Sequence, residues 1–160
     1  MFIPLAAALL AVALAVPVAT GAPQTKVKKI AFVGTYSGQA STKTDGDTTT
    51  IAANGTGKGS LIGAGTLVGG GSADSSQQPC PPFGGTGTIK GAKGTIAFKV
   101  VSGAKGCGDD GGHSFSLVGY LTVTKATGAL KKAKGKLRFT GNYDRDGGTF
   151  AIKLTGTLKK

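Results

Sequence analysis

Glycine recurs through this sequence in two settings, as pairs and triplets between apolar segments and as single residues inside them. No three-residue period orders it, which excludes a collagen-like chain. The 29 glycines among 160 residues disfavour a helical bundle, because each costs a helix interior about 1 kcal/mol relative to alanine. All 7 acidic residues are aspartate, so the strongest acidic helix former is missing as well. Length allows about one domain and excludes a large multidomain enzyme. Disorder fits poorly, since 39% of the residues are apolar and much of that content is patterned.

The pattern has period two. Ile30, Phe32, Gly34 and Tyr36 share one face of a strand, as do Phe115, Leu117, Gly119, Leu121 and Val123. Ile96, Phe98 and Val100 alternate with Thr95, Ala97 and Lys99, and Phe150, Ile152, Leu154 and Leu158 alternate with polar or small residues. Over 132–139, Lys132, Lys134, Lys136 and Arg138 face one way, and Ala133, Gly135, Leu137 and Phe139 the other. Weaker runs near 47–53, 58–68 and 86–91 raise the total to about eight strands. Turns are expected at Asp45-Gly46, Gly69-Gly70-Gly71, Gly84-Gly85, Asp110-Gly111-Gly112 and Asp146-Gly147-Gly148. Short connections favour antiparallel neighbours, and a sheet of this size closes or doubles to hide its edges. The expected fold is all-β, a small antiparallel up-and-down barrel, with a β-sandwich as the second choice. Single glycines inside the strands suit the barrel, where strongly coiled strands kink.

Residues 1–20 carry no charge, and only Thr20 is polar. Leu5–Val16 has the length and small-residue bias of a signal-peptide core, Pro17 ends it, and small residues near 19–22 offer a cleavage site. No Lys or Arg precedes this core, whereas Lys26, Lys28 and Lys29 follow it, an asymmetry that keeps an uncleaved membrane anchor as the alternative. The expected organisation is a signal peptide over 1–20, a short linker over 21–28 and one barrel domain over 29–160, secreted from the cell. Cys80 and Cys107 lie in loop-like flanks, and an even count in an oxidising compartment predicts one bridge between them. Neither has the spacing of a redox or zinc motif.

Thr86–Phe98 aligns with Thr127–Phe139 at an offset of 41, with seven of thirteen positions identical, which reads as two similar hairpins. The second copy, with the preceding Gly119–Thr124, contains Thr127-Gly128-Ala129-Leu130 and Ala133-Lys134-Gly135. This segment resembles part of the dirigent and allene oxide cyclase barrel superfamily, whose secreted bacterial relatives are rich in Gly and Thr. The resemblance covers some twenty residues of the 160. It implies an eight-stranded antiparallel barrel, homo-oligomers, and an apolar pocket at one mouth. The acidic pocket residues of those families have no counterpart here.

Three other groups bear on function. His113 is the only histidine and follows Asp109 and Asp110, a setting for a metal or a base, or simply a polar loop. Asn142, Asp144 and Asp146 followed by Gly147 match the first half of a calcium loop, but Lys153 stands where the closing carboxylate belongs. The same residues make ordinary tight turns. Lys125, Lys131, Lys132, Lys134, Lys136 and Arg138 crowd a short stretch of a chain whose net charge is +12. Such a stripe attracts an anionic polymer or lipid surface, or serves as a solvated face that keeps an edge strand from aggregating. Arginine is scarce and the aromatics fall on the apolar face, so sequence-specific nucleic-acid recognition is not expected. No cofactor is implied. The sequence therefore reads as a non-catalytic secreted protein that binds a polyanion or a small apolar ligand at the cell exterior. A cyclase- or isomerase-like enzyme acting on an apolar small molecule is the alternative.

Overall fold

The computed structural model describes residues 26–160, so the leader, its cleavage region and most of the linker lie outside the described residues. Nine strands follow in chain order: β1 Lys29–Asp45, β2 Thr48–Gly59, β3 Gly63–Asp74, β4 Phe83–Gly91, β5 Gly94–Val100, β6 Lys105–Gly108, β7 Ser114–Ala126, β8 Gly135–Asp144 and β9 Thr149–Lys159. They form one antiparallel sheet in the order β5-β4-β3-β2-β1-β9-β8-β7-β6. A further pairing of β5 with β7 returns the sheet on itself. The result is a closed eight-stranded barrel with one extra strand, which decides between the barrel and the sandwich.

The extra strand is β6. One half of β7, Leu121–Ala126, takes β5, and the other half, Phe115–Val118, takes β6. β6 thus prolongs the place of β5 beyond a detour at 101–104. Its outer edge is covered by the segment before β4: Gly106 and Gly108 donate to the carbonyls of Pro81 and Pro79 at 3.1 and 2.8 Å, and Phe83 donates to that of Ala104 at 3.0 Å. The disulfide Cys80–Cys107 staples these two segments together. Gly119 of β7 makes the detour fit, because a Cβ there would stand 2.6 Å from Ala104 Cβ and 2.7 Å from the Phe139 ring.

Inward positions change size along the strands, and this places the core. On β1 they run Phe32, Tyr36, then Gly38, Ala40 and Thr42. On β2 and β3 the end near the β1–β2 turn offers Ile51, Ala53, Gly69 and Gly71. The opposite end of the barrel is filled by Phe32, Ile62, Ile89, Leu130, Leu137 and Leu158, all fully buried. The β7–β8 connection seals it with a 3-10 turn, Gly128–Leu130, that places Leu130 and Ala133 in the core. Gly128 has φ +59, and a Cβ there would collide with the Lys93 carbonyl. One end of the barrel is therefore packed shut and the other is lined by small residues.

Several local expectations are corrected. Gly69-Gly70-Gly71 and Gly84-Gly85 lie inside the paired strands β3 and β4, where Gly71 faces Gly85, rather than in turns. The 58–68 run is two strands separated by a turn at 60–62. β8 begins at Gly135, so Lys131 and Lys132 belong to the preceding connection and Lys134 makes only an isolated bridge to Lys159. Of the two echoing segments, 86–98 is the β4–β5 hairpin, whereas 127–139 is the β7–β8 connection and the start of β8. The two meet at the closed end: Thr127 and Ala129 donate to the carbonyls of Thr95 and Lys93 at 2.9 and 2.8 Å.

Candidate ligand site at the barrel mouth

The small inward residues leave a cavity of about 180 Å³ at the open end. One wall is the flat backbone of Ala40, Ala53, Gly69 and Gly71; the facing wall is Phe98, Leu121, Phe139, Phe150 and Leu154. Phe83, which also lines the cavity, packs on Phe139 with ring centroids 5.8 Å apart. The flat wall follows from the strands' own pairing. Ala53 faces Ala40 on β1 and Gly69 on β3, so three neighbouring strands contribute almost no side-chain volume at one level.

Above the cavity lies a polar-rimmed vestibule of about 140 Å³, lined in part by Thr44, Thr49, Ser75, Gln78 and Arg145. Thr42 and Tyr143 line both spaces, and their hydroxyls stand 3.4 Å apart across the passage between them. The Arg145 guanidinium lies 5.7 Å from the Phe115 ring centroid and donates to the Gly112 carbonyl at 3.4 Å. Neither space is lined by aspartate or histidine. An apolar interior with a few hydroxyls and one cation at its lip is the usual chemistry of a small-molecule pocket. It offers no carboxylate for proton transfer.

Three of the rim connections are tied by aspartate side chains. Asp109 accepts from the backbone N–H groups of His113 and Ser114 at 2.8 and 3.2 Å, and these bonds, the His113 one foremost, hold its carboxyl below the usual carboxylate range. Asp74 is lowered chiefly by the Ser76 hydroxyl, then by Gln77. Asp144 accepts from Asp146 and Gly147, both at 3.1 Å, closing the β8–β9 turn, and Asp146 reaches His113 Nδ1 at 2.7 Å. The calcium-like set is thus divided: Asn142 points outward from β8, Asp144 closes the turn and Asp146 pairs with His113. Among the described residues no three metal-ligating side chains gather.

The basic stripe does not form a single strand face. Lys136 and Arg138 point outward from β8, Lys125 from β7, and Lys131, Lys132 and Lys134 ring the closed end. β8 lies between β7 and β9, so protecting a sheet edge does not explain these charges. Sequence patterning missed the cavity, although its signal is present: at inward positions of β1, large residues give way to Gly38, Ala40 and Thr42. Comparison with protein-family models and with curated proteins gives no match to this chain.

Proposed function

We propose that this protein binds a small apolar molecule in the barrel mouth, outside the cell, without transforming it. The carrying observation is the cavity of about 180 Å³, apolar within and open through a hydroxyl-lined passage. An empty apolar cavity of ~150 Å³ accepts benzene or xenon, so the space suits a ring or a short alkyl chain. The disulfide is consistent with an oxidising, extracellular location, and no described helix is long and apolar enough to cross a membrane. The cyclase-like alternative needs an acid or base at the pocket, and the ionisable groups at its lip are Tyr143 and Arg145. A second reading, polyanion binding by the closed end, is favoured by the lysines gathered there without carboxylate partners.

Titration with indole, a neutral fluorescent dye small enough for that space and not masked by any Trp in the chain, tests the first reading. Saturable one-site enhancement, abolished in Ala53→Phe and recovered with unmodified dye, supports it. Equal enhancement in Ala53→Phe places the dye elsewhere and removes the reading.

A further inference from the structure

Up-and-down topology sends alternate connections to opposite ends of the barrel, and charge is sorted with them. All 7 acidic residues belong to the open rim: Asp45 and Asp47 at the β1–β2 turn, Asp74 at the end of β3, Asp109 and Asp110 before β7, Asp144 and Asp146 at the β8–β9 turn. Of the basic residues, Lys43, Lys105 and Arg145 sit toward that end, and Lys99 and Lys153 lie within their strands. The closed end carries Lys58, the hairpin's Lys93, the connection's Lys131, Lys132 and Lys134, and Lys160. Among the described residues no Lys or Arg side chain lies within ion-pairing distance of a carboxylate, so these lysines meet none. A pole of unpaired ammonium groups opposite a pole of carboxylates orients the molecule in front of a negative surface.

The closed end also exposes apolar side chains among its lysines. Leu61, in the β2–β3 turn, is 45% exposed and has φ +72, a conformation that favours glycine. Ser60 beside it is bonded both ways to the main chain of Val33, which is exposed too. Val27, next to the strand start at this same pole, is likewise exposed. A soluble polyanion needs only the charge. A basic surface bearing protruding aliphatic tips matches an anionic bilayer, where lysines meet headgroups and the tips enter the acyl boundary.

We propose that the closed end docks on an anionic lipid bilayer, with Leu61 inserted and the open mouth facing away from the membrane. This rests on the reading of that end as polyanion-binding. The acidic rim is repelled by the same surface, so only one orientation is favoured.

The test uses residues 26–160, which contain every strand of the closed barrel and its disulfide. Co-sedimentation is measured with equimolar phosphatidylglycerol–phosphatidylcholine vesicles and with phosphatidylcholine alone, alongside retention on heparin resin. Binding to the anionic vesicles only is expected, weakening with salt. Replacing Lys131, Lys132 and Lys134 together by Ser should weaken it roughly a hundredfold, at about fivefold per lysine. Leu61→Gly, which the backbone accepts without strain, should weaken vesicle binding several-fold and leave heparin retention unchanged. The chain has no Trp, so Leu61→Trp should shift its emission to the blue on vesicles while Asp110→Trp should not. Heparin retention without vesicle binding overturns the lipid assignment alone. Heparin retention unaltered by the triple lysine change overturns the polyanion reading beneath it. Equal binding to both vesicle types overturns the anionic-lipid assignment, and a blue shift at Asp110→Trp overturns the proposed orientation.

Discussion

Ala53→Phe asks directly whether the mouth is hollow. Residue 53 faces Ala40 and Gly69 on the adjoining strands and opens onto the cavity of about 180 Å³, so a phenyl ring has room without displacing a large neighbour. The ring should remove roughly 120 Å² of apolar surface from water, worth about 3 kcal/mol at ~25 cal/mol per Å². Fixing its torsions costs about 1 kcal/mol, which leaves a net stabilisation of about 2 kcal/mol, or a rise in melting temperature of roughly 8 °C for a domain of this size. Urea denaturation should show a higher midpoint at an unchanged slope. Overpacking a filled interior typically costs about 1–3 kcal/mol instead. A lower midpoint for Ala53→Phe would therefore refute the hollow-mouth reasoning at its geometric root.

Removing the disulfide by Cys80→Ser with Cys107→Ser, which opens a loop with a sequence separation of 27, should cost about 3 kcal/mol. Amide exchange in that variant should rise first in β6 and the 79–83 segment it pairs with. Tyr36 is 2% exposed and its hydroxyl has no hydrogen-bond partner, while burial pushes its phenol upward. Tyr36→Phe should therefore raise stability by about 1 kcal/mol, read by urea midpoint; a loss of that size would reveal a partner for the hydroxyl. Asp74 and Asp109 have lowered pKa values in the folded protein, so their contribution is present above the ordinary carboxylate range of about 4 and disappears as pH falls through the folded values. Melting temperature should decline on that acid limb, and Asp109→Asn should flatten the decline; an unchanged limb contradicts the role given to its bonds with His113 and Ser114.

Much of the barrel was legible in residue order, because alternation forces an inward and an outward face. Phe115, Leu117, Gly119, Leu121 and Val123 turn inward as their spacing requires, and so do Phe32 and Tyr36. The glycine clusters misled because a local turn signal competes with pairing that only the fold supplies. A Cβ on Gly71 would strike the Gly84 carbonyl, and one on Gly85 the Gly70 carbonyl, so these glycines permit close strand approach instead of reversing the chain. The turn at Ser60–Ile62 was hidden for the opposite reason: Leu61 occupies a left-handed position where glycine is the ordinary signal. β6, Lys105–Gly108, is too short to show a period. The cavity needed the register of β1, β2 and β3 before Ala40, Ala53 and Gly69 could be seen to share a level. Charge sorting likewise emerges only when connections are assigned to ends, since Lys and Asp alternate by connection along the chain.

The central claim is that the mouth holds a dry apolar cavity large enough for a ligand, and a crystal pressurised with xenon tests it most directly. Xenon enters apolar cavities of this order. It should appear between the flat wall at Ala53 and Gly69 and the facing rings of Phe98, Phe139 and Phe150, and be absent there in Ala53→Phe. Side chains collapsed across that space, or a cluster of hydrogen-bonded waters in place of xenon, would contradict the account.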